Sequence, residues 1–407
     1  MAEKKKKKKV KTWVKPRHKV IRNIAAAVIL PYLKMTYKTK VEKFKGQGKR
    51  NYLVLMNHQT PMDQFFVSMA FKGAVYYVTS EDLFSNGFVS KLLSWAVAPI
   101  PIKKQVADVR AVMNSIKIAK EGGTIALFPE GNRTYSGKTE YFSNAVVGYA
   151  KALKLPIAIM RLEGGYGVCP RWSDKRRKGP SKAYVARVIE REEYSKLSDE
   201  ELYALLKQEL FVDETKLDGE YKTKNQAEYI ERALYVCPEC GLSHFESSRD
   251  LFTCKKCGKQ VRYLPNKKLE CVNGELPFTY FNEWYDYQSD FVRKLDMAPY
   301  ETTPIYEEEN GLYLVEKTKK VCLAKAGKIA IFANKITLSY KGESLDLPFD
   351  KLSGVSVLGR NKLNIYAEDK LYQLKGNKRF NALKYVNLYY HGKSVMKGEE
   401  NGQFLGL

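Results

Sequence analysis

A histidine at position 58 and an aspartate at 63 stand directly behind the apolar run YLVLM, in the stretch NHQTPMDQFF, 57–66. An imidazole held by a carboxylate can take a proton from a hydroxyl and so act as a general base. The same residues also suit a helix start, with Thr60 as cap, Pro61 at the first helical position and Asp63 completing a cap-like pair. The two readings are compatible. With a helix beginning at Pro61, His58 lies outside its first turn and Asp63 can reach back to the ring. In an unbroken helix, five positions would set the two side chains about 140° apart.

A second polar cluster follows another strand-like run, in GTIALFPEGNRTYSG, 123–137. Its bland reading is a polar loop. Open α/β sheets, however, bind ligands at the carboxyl ends of their strands, and NHQTPMD follows YLVLM just as PEGNRT follows TIALF. Both loops are then expected on one edge. Gly131 lets backbone approach an anion closely, and the fork of Arg133 suits phosphate oxygens. A base beside such an arginine implies transfer onto a hydroxyl of a phosphorylated acceptor.

Histidine, four residues, aspartate, and FPEGNRT about 65 residues later resemble the PlsC-type glycerolipid acyltransferases, which include the 1-acylglycerol-3-phosphate acyltransferases. The resemblance covers roughly residues 20–215. It implies acyl transfer from acyl-CoA or acyl carrier protein, an acyl thioester co-substrate, to the free hydroxyl of a lysophospholipid, with no catalytic cofactor. The acceptor it favours is 1-acylglycerol-3-phosphate, giving phosphatidic acid. His58 would take the hydroxyl proton, Asp63 would hold the imidazole, and Glu130, Gly131 and Arg133 would form the acceptor-phosphate site. Lys104, in APIPIKK, stands where the family has an arginine, which keeps the charge and loses the bidentate fork. Asn132, Thr134 and Ile159 are further departures. Another lysolipid, glycerol 3-phosphate, or an inactive membrane-recruited scaffold are the alternatives. No G-x-S-x-G is present, so direct attack by the acceptor in a ternary complex is the economical mechanism. The basic stretch PRWSDKRRKG, 170–179, falls outside the family pattern. It reads either as a lipid or donor contact through Arg171, Lys175, Arg176, Arg177 and Lys178, or as a solvated loop.

Cys237, Cys240, Cys254 and Cys257 form two C-x-x-C pairs, each closed by a glycine. The spacing suits tetrahedral thiolate ligation of a structural Zn2+, ahead of iron, and looks like a zinc ribbon or rubredoxin-like knuckle. Disulfides are the alternative, which a cytosolic chain would not keep. Four thiolates leave no open position for water, so the metal's role would be structural.

Net charge is +25, and residues 1–50 contribute 18 basic side chains against Glu3 and Glu42. The run MAEKKKKKKVK reads as a disordered tail. Behind it, Ile24–Leu33 is apolar but broken by Pro31 and about half the length of a bilayer span. A second apolar run, 88–102, is interrupted by Lys91 and prolines. A basic tail beside a short apolar helix fits peripheral attachment to the cytoplasmic face of an anionic membrane. Trp13 and the apolar stretch favour this over nucleic acid, for which no role is expected.

These residues need elements to place them. Strand-like runs at 52–56, 74–78, 124–128, 156–160 and 183–189 alternate with helical patterns, predicting an α/β domain with a largely parallel sheet. Val106, Val109, Met113 and Ile116 repeat at helical spacing. Ser198 and Glu201 form a capping box before LYALLKQEL. FNEWYDYQSDFVRKL reads as a bridging helix. From about 311 to 376 the pattern becomes period two, with Ile336, Leu338 and Tyr340 alternating, then Leu345, Leu347 and Phe349, then Leu363 and Ile365. The helical run RFNALKYVNLYYHG follows, predicting a mostly antiparallel β domain closed by a helix, weakly similar to pleckstrin-homology domains. The expected organisation is a basic arm with a short interfacial helix (1–50), an acyltransferase domain (51–220), a linker helix, zinc ribbon and bridging helix (221–298), and a β-rich domain (299–397).

Overall fold

The structure, a computed structural model, describes residues 12–80, 87–102, 108–316, 319–368 and 370–398. The lysine run and Lys104 lie outside them.

Seven strands form the first sheet: β1 (Lys40–Val41), β2 (Leu53–Met56), β3 (Val75–Ser80), β4 (Ile100–Ile102), β5 (Thr124–Leu127), β6 (Ile157–Glu163) and β7 (Lys182–Ile189). Their order is β1-β7-β6-β2-β5-β3-β4, and every pairing is parallel except β6 with β7. β2 sits at the centre with all four residues buried. Its unbroken apolar run is what a strand covered on both faces requires. Each such leucine or valine contributes about 1.5–3 kcal/mol by leaving water. The pairing of β2 with β5 puts the two polar loops side by side, as the sequence pattern predicts.

Helices α1 (Pro16–Thr36), α2 (Asp63–Ala70), α3 (Gly87–Val97), α4 (Val109–Lys120) and α5 (Ala145–Leu153) supply most of the cover. Three expectations need correcting. α2 starts at Asp63 and not at Pro61, because the Thr60 hydroxyl and backbone bind the Asp63 carboxylate and organise a turn first. α1 is one continuous helix of 21 residues with Pro31 inside it. In α4 the buried face is Ala111, Ser115 and Ile118, whereas Val109 and Met113 are exposed. Ser115 can face inward because its hydroxyl donates to the Ala111 carbonyl and accepts from Tyr149. The capping box at Ser198 forms as expected, with both reciprocal hydrogen bonds.

The linker at 221–236 carries only a 3-10 turn, Ile230–Arg232, where an α-helix was expected. The cysteine-bearing segment folds as a two-stranded hairpin (Val236–Cys237, Gly241–Leu242) and a four-stranded sheet between Phe245 and Cys271. The bridging helix Phe281–Arg293 follows. Seven strands between Tyr306 and Lys375 then form an antiparallel sheet in which the last strand, Lys370–Lys375, pairs with the first, Tyr306–Glu316. Helix Ala382–Lys397 closes it. The cysteine-bearing segment, the bridging helix and this sheet share one apolar core, which also takes in Tyr135, Tyr166 and Trp172 of the α/β domain.

The basic stretch 170–179 divides between the two readings, with Lys175, Arg176 and Lys178 exposed and Arg171 and Arg177 turned into that junction. Arg171 and Arg177 are each 2% exposed, and Trp172 is fully buried. The Arg177 guanidinium lies over the rings of Trp172 and Tyr263. Arg232 is the fastener. It donates to both Asp174 oxygens at 2.8 and 3.2 Å, to the Trp172 carbonyl at 3.0 Å and to the Lys378 carbonyl at 2.6 Å. On the other side, Lys267 of the four-stranded sheet donates to the carbonyls of Glu214 and Leu217 in the α/β domain.

We expect Arg232→Met to leave the Trp172 and Lys378 carbonyls without their donor and Asp174 with Arg360 alone, lowering stability by on the order of 2 kcal/mol. Calorimetry would read this as a lower Tm; an unchanged Tm would show that Arg232 fastens nothing.

Candidate active site

β2 ends at Met56, and the chain then turns sharply around His58. Asn57 secures the turn, its side chain accepting from the Leu162 N–H at 2.8 Å and donating to the Leu162 carbonyl at 2.9 Å. The His58 ring stacks on Phe128 with centroids 4.5 Å apart. Its Nδ1 lies 2.8 Å from Asp63 Oδ2. The Asp63 carboxylate, fully buried, also accepts the backbone N–H groups of Gln59 and Thr60. Facing a carboxylate, Nδ1 must carry the hydrogen, so the basic lone pair sits on Nε2. Nε2 has no protein partner among the described residues, and the side chain is 20% exposed. Burial lowers the His58 pKa below its ordinary 6.5, opposed by the Asp63 hydrogen bond and assisted by the nearby positive charges of Arg133 and Arg171. The imidazole is therefore neutral at pH 7, as a base must be.

The loop after β5 meets this turn through backbone and carboxylate together. Glu130 accepts from the His58 N–H at 2.7 Å and from the Glu140 N–H at 2.8 Å. The Thr134 N–H donates to the His58 carbonyl at 2.9 Å. Glu130 was expected in an acceptor-phosphate site. The structure instead buries it with each oxygen on a backbone N–H, where it holds the two loops in register. Burial pushes its pKa well above the ordinary carboxylate range. Gly131 takes φ +69° in the turn, a conformation glycine adopts without strain, and its N–H returns to the Phe128 carbonyl at 3.0 Å.

Arg133 lies near enough to His58 for its charge to act on the ring. Its Nη1 is buried without a partner, and burial lowers its pKa, helped by the charges of Arg171 and Arg360. A guanidinium with an unused, buried donor nitrogen has the chemistry to bind an anion. Its backbone carbonyl accepts from Arg171 Nη1 at 2.8 Å, and Arg171 lies over the Tyr135 ring at 4.1 Å. Glu140, half-buried, gathers the hydroxyls of Thr134 and Ser136 at 2.9 and 3.0 Å and shapes the loop. Asn57 and Phe128 open the two motif stretches without a role assigned to them, and Glu140 lies outside both. Asn57 at least adjoins His58, while Glu140 gives no local signal.

The four cysteines converge. Their Sγ atoms all lie within 4.8 Å of one another, with Cys237–Cys257 and Cys240–Cys254 each at 3.6 Å. Sulfurs about 2.3 Å from a tetrahedral ion would stand roughly 3.8 Å apart, so the set fits a metal. Gly241 and Gly258, at φ +71° and +77°, turn the backbone toward the sulfurs.

Residues 33–162 match the family model described as Acyltransferase. Of solved structures, the 1-acyl-sn-glycerophosphate (LPA) acyltransferase PlsC from Thermotoga maritima is similar at 22% identity, over 46% of this chain and 78% of that one, with TM-score 0.36. The N-terminal PH domain of Vps36 is 18% identical over 22% of this chain and 83% of its own, with TM-score 0.18. That of human ARAP2 is 12% identical over 25% and 90%, with TM-score 0.20. No curated protein matches the chain.

His58→Ala should lower acyl-transfer kcat by about 10²–10⁴-fold while the protein stays folded. Because burial lowers the pKa of His58, protonation should silence the wild type only below the ordinary 6.5, and the acid limb of kcat/KM should lie there. A limb above that value would contradict a buried neutral base.

Proposed function

From the premise of an acyltransferase domain at residues 33–162, we propose that the protein moves a fatty acyl group onto the free hydroxyl of a lysophospholipid. The donor is an acyl thioester of coenzyme A or acyl carrier protein. The acceptor is 1-acylglycerol-3-phosphate, giving phosphatidic acid. The single observation that carries this is the His58–Asp63 pair at 2.8 Å on the same sheet edge as the partnerless guanidinium nitrogen of Arg133.

In this reading His58 Nε2 removes the hydroxyl proton as the acceptor oxygen attacks the thioester carbonyl. Collapse of the tetrahedral intermediate breaks the carbon–sulfur bond, and the imidazolium returns its proton to the leaving thiolate. Asp63 keeps the ring in one tautomer and stabilises the imidazolium. Arg133 holds the phosphate.

Membrane attachment is part of the proposal. Val20, Ile24, Val28 and Met35 form an exposed ridge along α1, with Val28 and Met35 71% and 73% exposed. α3 packs beside α1 and exposes Leu92 and Trp95. Arg17 joins the two helices, donating to the Trp95 carbonyl at 3.2 Å with its guanidinium over the ring. Among the described residues no helix is long and apolar enough to cross a bilayer. An apolar ridge behind a lysine-rich tail suits the surface of an anionic leaflet, the cytoplasmic one.

The test is transfer of labelled acyl groups by purified protein, on anionic vesicles, to a panel of lysolipids and glycerol 3-phosphate with both donor types. The wild type should prefer 1-acylglycerol-3-phosphate. Arg133→Lys, which keeps charge and loses the fork, should raise the acceptor KM and leave the donor KM alone. Movement of only the donor KM would refute the phosphate assignment.

Cys237, Cys240, Cys254 and Cys257 would hold one structural zinc, and metal analysis should find one per chain. In small zinc peptides such ligation contributes roughly 10–16 kcal/mol. Cys240→Ser should therefore open residues 237–264 to protease while part of the His58 chemistry survives. A variant segment that still resists protease would count against the metal.

A further inference from the structure

The turn between strands Leu352–Leu358 and Lys362–Ala367 of the C-terminal sheet reaches across to the α/β domain. Gly359, at φ +70°, makes the turn tight, and Arg360 stands at its tip. Arg360 Nη1 lies 3.2 Å from Asp174 Oδ1. Asp174 is only three residues beyond Arg171, whose guanidinium binds the Arg133 carbonyl. One corner of the active-site edge thus gathers Arg133, Arg171, Arg232 and Arg360.

The acids nearby do not balance them. Asp174 already serves Arg232 through both oxygens and Arg360 through one. Asp63 is committed to His58 and to backbone N–H groups. Two donors are left over, since Arg133 Nη1 and Arg360 Nε are both buried without a partner. Arg171 and Arg232 are buried while Arg133 and Arg360 are half-buried, and like charges drawn partly out of water repel at a cost that a bound anion would offset. The charges of Arg171 and Arg360 both act to lower the Arg133 pKa, which places the three groups within each other's field. Two guanidiniums that each keep an unused donor suit a dianionic phosphate monoester more than a singly charged diester.

We propose that the C-terminal domain completes the acceptor-phosphate site, with Arg360 and Arg133 binding the monoester from opposite sides and Arg171 positioning Arg133 through its carbonyl. This rests on the acyltransfer reading above. It gives the β-rich domain a task at the reaction centre and makes the terminal phosphate monoester the recognised group, whether on a lysolipid or as free phosphate.

The experiment compares full-length wild type, Arg133→Gln, Arg360→Gln and Arg360→Lys. Each is measured for acceptor and donor KM with 1-acylglycerol-3-phosphate, for rate on the phosphate-free monoacylglycerol, and for the rise in Tm caused by inorganic phosphate. Arg360→Gln should raise the acceptor KM about 10–100-fold with donor KM unchanged. It should spare the monoacylglycerol rate and lose most of the phosphate-induced Tm rise, and Arg360→Lys should recover part of each effect. A residue that merely docked the domain would instead alter both acceptors and both KM values together, which would overturn the proposal. If Arg133→Gln loses phosphate recognition and Arg360→Gln keeps it, the proposal fails and the phosphate site stands. If neither variant changes it, both fail. Stabilisation by the lysolipid with none by inorganic phosphate, in a wild type whose acceptor KM is indifferent to Arg360, would assign recognition to the lipid body and overturn the proposal as well.

Discussion

The Glu130 carboxylate, buried between two backbone N–H groups, is the constraint on which the site depends. It fastens the turn after β2 to the loop after β5, and the Thr134 N–H closes the same junction from the other side. Asn57 ties that turn to β6 in the same manner. Three adjacent strand ends are thereby fixed by hydrogen bonds that involve neither the His58 ring nor the Arg133 guanidinium. This frees those two side chains for chemistry and leaves them little room to drift. Catalytic geometry of this kind is set in advance by backbone, so little reorganisation is needed when the reaction occurs.

The electrostatics of the edge work in two directions. Burial and the charges of Arg133 and Arg171 lower the His58 pKa, while Asp63 acts to raise it. An incoming phosphate would offset the arginine charges. The imidazolium that forms as the hydroxyl loses its proton would then be less disfavoured with acceptor bound than in the empty site. In the proposed mechanism the acceptor therefore improves the base that acts on it. The neutral ring at rest and the stabilised cation in mid-reaction follow from one arrangement of charges.

The parts legible in the sequence were those whose partners lie within a few positions or whose pattern repeats. His58 with Asp63, the cysteine pairs with their glycines, the capping box at Ser198 and the period-two run through Ile336 and Leu338 are all local. The parts that were not legible depend on distance or on facing. Helical spacing in α4 cannot say which stripe meets the sheet, and Ser115 faces inward because Tyr149, from another helix, donates its hydroxyl hydrogen to it. Glu130 looks like a site residue in a polar loop until the His58 N–H, 72 positions earlier, is found on it. The stretch PRWSDKRRKG left contact and solvation both open because nothing in it announces Tyr135 beneath Arg171 or Tyr263 beneath Arg177. Arg360 carries no signal at all in its own strand pattern.

Arg232 joins Asp174 to the Lys378 carbonyl, and so links the α/β domain to a strand-to-helix turn near the far end of the chain. During synthesis these partners appear in sequence. At about 5–20 residues per second, Arg360 leaves the ribosome roughly 190 residues, or some tens of seconds, after Asp174. The histidine and its aspartate can be folded throughout that interval, but the corner beside them stays open until the last domain arrives. In the proposed arrangement a nascent chain would hold its His58–Asp63 pair before its phosphate grip is closed, so that the order of synthesis would set the order of assembly.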